Sequence, residues 1–427
     1  MIRQPRHERQ PIPRVLSPLR DFLRTEAAGG ILLAVGAVAA MIWANSPWSA
    51  SYERLWTTPV SVNFGSHSLH LLLRELINEG LITIFFFVVG LEIKRELVSG
   101  ALATKRAALL PIAAAIGGMA APALLYLAIA GGSSPRGWAI VVATDIPLAL
   151  GVMAIAGGRV PPALRVFLLA LAIVDDIGAL LIIAAVYSTG VGWGWLLAAL
   201  VVFAAAVATR RLGVSQHGVY VVLGCLLWLM LHEAGLNATL AGVAMGLLAP
   251  STPRIPAEFV DAEELADIST VENAMQTTNM ARGSVSVVEW LEHLLHPWAS
   301  YLIVPLFALA NTGVTLSTHL LHAAIRSPIT WAIIVGRVIG KPLGIVVVSK
   351  LVVRGRLADP PGETTGRQML GVATSAGMGF TVALFITELA LTDPTQRSNA
   401  TLGILVAAVV AAGASLAILT ARTSAAE

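Results

Sequence analysis

The stretch Val166-Phe-Leu-Leu-Ala-Leu-Ala-Ile-Val-Asp175-Asp176-Ile-Gly-Ala-Leu-Leu-Ile-Ile-Ala-Ala185 carries no charge except its two central aspartates. As a helix rising about 1.5 Å per residue, such a run spans roughly 30 Å, the thickness of bilayer hydrocarbon. Asp175 and Asp176 then lie near the midplane, where each charge costs on the order of 3 kcal/mol or more. Carboxylates kept at that depth usually serve ion or proton movement, which is the first expectation for this chain.

The surroundings of the run agree with a membrane setting. The 427 residues are 56% hydrophobic and only 12% charged, with a mean hydropathy of +0.78. That composition excludes the ordinary soluble classes and fits an all-α polytopic membrane protein. The net charge of +3 is not gathered into a basic patch with interleaved aromatics, so nucleic acid is not an expected partner. The single cysteine, Cys225, sits within an apolar run and gives neither a disulfide framework nor a metal cluster.

Twelve candidate spans follow, near 27–45, 77–97, 107–130, 138–157, 163–185, 194–209, 218–234, 236–250, 298–317, 328–349, 368–390 and 400–421. They form one transmembrane domain over 27–421, between an N-terminal tail at 1–26 and a C-terminal tail at 422–427. The arginine-rich start is too polar for a cleaved signal peptide and reads as a cytoplasmic tail. With the N-terminus inside, the inner connections hold Lys94, Arg95, Lys105, Arg106, Arg159, Arg210, Arg211, Arg254, Lys350, Arg354 and Arg356, and both termini face the cytoplasm. The long outer loop contains alternation around Phe64-Gly65-Ser66, a hairpin signal over Val60–His70. The acidic segment 251–295 reads as a cytoplasmic loop.

Three other spans carry polar features at the depth of the Asp pair. Thr144-Asp145-Ile146-Pro147 centres the fourth; Pro147 cannot donate to Ala143, so a break is expected there. Lys341 centres the tenth, and Thr374-Ser375-Ala376-Gly377-Met378-Gly379-Phe380-Thr381 fills the eleventh. Unwound backbone at this depth survives where it is buried in protein or lines water, and its ends act as fixed partial charges. Carboxylates beside such ends, with a lysine nearby, make a cation site. Spans 3–5 and 10–12 look like two triplets separated by an odd offset, hence inverted repeats with broken helices 4 and 11 crossing at the midplane.

These residues resemble the NhaA-type sodium/proton antiporters. The resemblance runs over nearly the whole chain and rests on an ordered set: Phe85-Phe-Phe-Val-Val-Gly-Leu-Glu-Ile-Lys-Arg-Glu-Leu97, Ala143-Thr-Asp-Ile146, Leu171-Ala-Ile-Val-Asp-Asp-Ile-Gly178, Ala238-Thr-Leu-Ala-Gly242, Leu291-Glu-His-Leu-Leu-His-Pro-Trp298, Pro305-Leu-Phe-Ala-Leu-Ala-Asn311, Ile339-Gly-Lys-Pro-Leu-Gly344 and Gly377-Met-Gly-Phe-Thr381. The family is itself a standing example of the inverted-repeat plan, so it lends that plan no independent support. It implies sodium and proton exchange, with lithium as a further cation, at Asp175 and Asp176, and Asp175 paired with Lys341 when no cation is bound. Sodium and protons are then transported substrates, and no cofactor is expected. Thr144 and Asp145 would belong to the broken fourth helix with Pro147, and Asp145 would balance exposed helix ends near Gly377 and Gly379. Glu92, Arg95, Glu96, Glu289, Glu292, His293 and His296 would form a cytoplasmic region linked to pH activation; from the residues alone, ordinary helix-end pairing is the favoured reading, which the resemblance reverses. The resemblance also implies voltage-driven exchange, a bacterial inner membrane and a homodimer through the outer hairpin.

Three positions depart from the family pattern: Glu79 where an aspartate is expected, Asn237 where a histidine is expected, and Arg337 where an apolar residue is expected. Rival functions fit less well. An aspartyl intramembrane protease needs Gly-x-Gly-Asp, yet Gly377-Met378-Gly379 is followed by Phe380. A metalloprotease needs His-Glu-x-x-His, and His232-Glu233 has no second histidine in register. A channel has no need of a titratable lysine–carboxylate set. A proton-coupled solute symporter wants a larger cavity with specific substrate groups.

Overall fold

The computed structural model describes residues 16–64, 67–188, 190–214, 216–252 and 285–421. Most of the 1–26 tail, most of the 251–295 loop, the hairpin tip and the 422–427 tail expected from the sequence lie outside these residues. The rest is almost wholly helical. The elements are α1 (Leu16–Ala44), α2 (Ser49–Trp56), strands β1 (Pro59–Phe64) and β2 (His67–Leu72), and α3 (Leu73–Val98). Next come α4 (Lys105–Ala130), a 3₁₀ helix (Pro135–Val141), α5 (Ile146–Ala156), α6 (Pro162–Val186), α7 (Trp193–Arg211), α8 (His217–Glu233) and α9 (Leu240–Leu248). The last are α10 (Val287–Asn311), α11 (Thr318–Arg326), α12 (Pro328–Arg354), α13 (Gly366–Ser375), α14 (Thr381–Ala390) and α15 (Pro394–Thr420).

Nine helical stretches among the described residues are long and apolar enough to cross a membrane. The other three expected spans are shorter. Gly218–Glu233 is a shorter apolar helix, Leu240–Leu248 has 9 residues, and 368–390 is divided between α13 and α14. The eighth is short because Asn237 bonds Thr239 at its start and Ala249-Pro250 ends it. The ninth begins eleven residues before 298, at Val287. Ser286 caps it by accepting from the amide of Glu289 at 3.2 Å, so the acidic loop ends well short of 295. The hairpin forms as an antiparallel pair with Val60 opposite Leu71 and Val62 opposite Leu69.

Packing between spans uses small residues where backbones approach, as expected where lipid removes the hydrophobic incentive for helix association. The seam between α4 and α12 shows it: a Cβ built on Gly344 would lie 2.0 Å from the carbonyl oxygen of Gly117. Three π-helical turns, Leu76–Leu81, Ala299–Ile303 and Gly336–Gly340, interrupt α3, α10 and α12. Such turns gather at functional sites, and two of these border the centre described next.

Candidate functional site

Helical backbone stops twice near the centre of the molecule. The 3₁₀ helix ends at Val141 and α5 starts at Ile146, with Ala143–Asp145 unassigned between them. α13 ends at Ser375 and α14 starts at Thr381. The linkers touch: the amide of Asp145 donates to the carbonyl of Met378 at 2.8 Å. Gly379 permits the approach, because a Cβ there would lie 2.1 Å from the carbonyl oxygen of Ala143.

One carboxylate serves the two helix starts that leave this junction. Asp145 Oδ2 accepts from the amide of Thr381 at 3.1 Å and its hydroxyl at 2.9 Å, and Oδ1 accepts from the amide of Leu148 at 3.3 Å. An acceptor at a helix N-terminus satisfies orphan amides and suits the positive end of the dipole. The opposite, carbonyl-bearing end of the 3₁₀ helix meets cations: Lys341 donates to Val142 and Arg337 to Ile140, while the other Arg337 nitrogen donates to Gly379 in the α13–α14 linker.

Asp175 and Asp176 on α6 face this junction from one side. Asp175 is fully buried; its Oδ2 lies 2.7 Å from Lys341 Nζ and accepts from the Thr144 hydroxyl at 2.7 Å. Consecutive helical side chains point about 100° apart, and Asp176 accordingly faces a different part of the junction. It lines a small cavity with Glu92, Thr144, Asp145, His296, Ser300 and Thr381. The cavity's free volume of about 40 Å³ has room for roughly three waters, or for a small cation that has shed most of its own. Asp175 Oδ1 and Asp176 Oδ1 are buried without a hydrogen-bond partner. Uncompensated buried acceptors are costly and rare, and these two offer hard oxygen atoms of the kind a small cation takes.

A family profile described as Na+/H+ antiporter 1 matches residues 20–419. The chain belongs to that family. Its relatives include Na(+)/H(+) antiporter NhaA of Oleidesulfovibrio alaskensis, 40% identical over 94% of this chain and 93% of the relative. NhaA of Rhodopirellula baltica is 41% identical over 96% and 95%, and NhaA 2 of Pseudomonas putida KT2440 is 43% identical over 93% and 92%. In fold the chain is similar to the sodium proton antiporter MjNhaP1 of Methanocaldococcus jannaschii, with a TM-score of 0.50 at 12% identity, covering 95% of this chain and all of that one. The chain is therefore a multi-pass membrane protein of an antiporter family.

The structure brings together Asp175, Asp176, Lys341, Thr144 and Asp145, with Pro147, Gly377 and Gly379 at the interruptions. The second expected group divides. Glu92, Arg95, Glu292 and His296 converge: Arg95 pairs with Glu292, and His296 Nε2 lies 3.7 Å from Glu92 Oε1. Glu92 and His296 also line the cavity that reaches Asp176. Glu289 and His293 instead point outward on the exposed face of α10. Glu96 is buried but accepts from the amide of Ala101 at 3.1 Å, shaping the turn after α3. Two participants went unassigned in the sequence. Thr381 was visible only as part of a Gly-rich string, and Ser300 sits in a π turn that leaves no sequence mark. The partners of Arg337 and Lys341 are main-chain carbonyls, which residue identity does not reveal.

Of the departures, Glu79 faces His232 at 3.0 Å, between α3 and the end of α8. Asn237 accepts from the amide of Thr239 at 3.0 Å, starting the turn into α9.

Proposed function

We propose that this chain exports sodium, and lithium, in exchange for external protons by alternating access at Asp175 and Asp176. The observation that carries it is the unequal state of two adjacent carboxylates. Asp175 is held by Lys341 and Thr144, while Asp176 opens onto the cavity, and each keeps one buried oxygen unpartnered. A buried carboxylate needs a partner, and a proton or a sodium ion meets that need at the same oxygens. Mutual exclusion couples the two fluxes if the site opens to one side at a time. Titration then belongs to the pair and not to either aspartate.

In this scheme sodium enters past Glu92 and His296 and meets Asp176. Asp175 joins the ion as Lys341 gives up both it and a proton, and two protons arriving after the switch restore the protonated Asp176 and the Lys341–Asp175 pair. The interrupted helices act as inverted-repeat elements crossing at the midplane, where short backbone links permit rearrangement without breaking a full helix. More protons than sodium ions move per cycle, so exchange is voltage-driven. The Glu92–His296 and Arg95–Glu292 group links activity to cytoplasmic pH. The β1–β2 hairpin joins two copies in the bacterial inner membrane, with both termini in the cytoplasm.

Purified protein in liposomes carrying a pH gradient and a pH-sensitive dye tests the scheme. Sodium and lithium should collapse the gradient, and Asp176→Asn should abolish the response while inserting and melting normally. Persistent sodium-driven proton flux in Asp176→Asn overturns the assignment of Asp176. A wild-type chain indifferent to both cations overturns the function.

A further inference from the structure

Arg337 is the largest fully buried side chain among the described residues, 1% exposed, and it lies one helical turn before Lys341. Its guanidinium binds backbone. One terminal nitrogen donates to the carbonyl of Gly379, in the α13–α14 linker, and the other to that of Ile140, in the last turn of the 3₁₀ helix. One fork therefore bridges both interrupted spans from α12. Gly377 and Gly379 crowd the same residue: a Cβ on Gly377 would lie 2.5 Å from the Arg337 carbonyl oxygen, and one on Gly379 would lie 2.1 Å from its guanidinium.

The neighbouring cation divides its attention differently. Lys341 donates to the carbonyl of Val142, two residues beyond Ile140, and also pairs with Asp175 at 2.7 Å. The carbonyl end of the 3₁₀ helix thus has two cations, of which only Lys341 is shared with the Asp pair. A guanidinium keeps its charge and presents donors in a rigid fork, whereas an ammonium is a compact, rotatable point charge.

Building on the exchange function above, we propose that Arg337 is a positioning residue for transport. It neutralises and ties the backbone carbonyls of the junction independently of Lys341, so that Lys341 stays available to hold Asp175 and to reclaim it when the cation leaves. Without Arg337, Lys341 must serve the backbone alone and competes less for Asp175. One positive charge also disappears beside the site. Both effects tighten sodium binding and slow its release.

The test compares wild type, Arg337→Leu and Arg337→Lys in proteoliposomes, titrating sodium and normalising to folded protein, with melting temperatures recorded alongside. Arg337→Leu should lower the apparent KM for sodium at least threefold and the maximal rate at least tenfold. Arg337→Lys keeps the charge and loses the fork; its KM should return to within about twofold of wild type while its maximal rate stays depressed. Should Arg337→Leu fail to fold, Arg337→Lys decides, because a wild-type rate in that variant overturns the assignment. Lower melting temperatures with unchanged KM and rate overturn it too, as does failure of both variants to fold, since each makes Arg337 a residue of assembly alone. A wild-type chain that ignores sodium defeats the exchange function itself, and a responsive wild type with unaffected variants defeats only the role of Arg337.

Discussion

At the scale of single residues, the site is built from groups that would be expensive alone. Asp175 tolerates burial because Lys341 and Thr144 share its Oδ2, and removing one member of such a set exposes the cost of the others. Thr144→Val should therefore destabilise the protein by about 1–2 kcal/mol, read as a lower melting temperature in sodium-free buffer, and Thr144→Ser should restore most of it. These residues were legible in the sequence because charge at mid-depth is rare enough to be conspicuous. For the second group, charge pattern and packing part company. Glu292 and His296 turn inward with Glu92 and Arg95, whereas Glu289 and His293, on the same short helical stretch, face out. All four share the same charge pattern in the sequence, and only packing against α3 separates them.

At the scale of elements, proline and glycine announced the two interruptions, since Pro147 lacks an amide and Gly377 and Gly379 lack side chains. What closes the junction was invisible: Met378, Val142, Ile140 and Gly379 take part through their carbonyls. The start of α10 at Val287 was also hidden, because a helix whose first turn carries Glu289 resembles the end of an acidic loop until Ser286 is seen to cap it. Asp145 caps α5 and α14 together, and one lost cap costs about 1 kcal/mol. Asp145→Ala should thus lower stability by about 2 kcal/mol, roughly the sum of two caps, and Asp145→Asn by less, in thermal melts of the purified protein. At the α4–α12 seam, Gly344→Ala drives a methyl into the Gly117 carbonyl and should depress the melting temperature sharply. Gly413→Ala meets nothing within 4 Å and should leave it unchanged.

At the scale of the whole molecule, the count of apolar runs indicated the class of fold, and length decided where it misled. The eighth span is a 9-residue helix and the eleventh is two 10-residue halves, so hydropathy alone overstates how much continuous helix crosses the bilayer. In the proposed exchange two protons replace one monovalent cation, so each cycle would move one net charge. One charge crossing 100 mV corresponds to about 2.3 kcal/mol. An inside-negative potassium diffusion potential set with valinomycin should therefore speed sodium efflux from liposomes, and reversing its sign should slow it.

The chain's one thiol has a practical corollary. Cys225 lies on the outer side of α8, among Leu71, Phe87, Val221 and Met245 in a largely apolar groove of about 710 Å³. A charged, water-soluble reagent pays heavily to leave water for such apolar surroundings. Toward water-soluble maleimides the native protein should behave as if it had no cysteine, labelling only after unfolding in detergent, as intact-mass measurement would show. Reporter cysteines can then be placed one at a time on either face without first engineering Cys225 away.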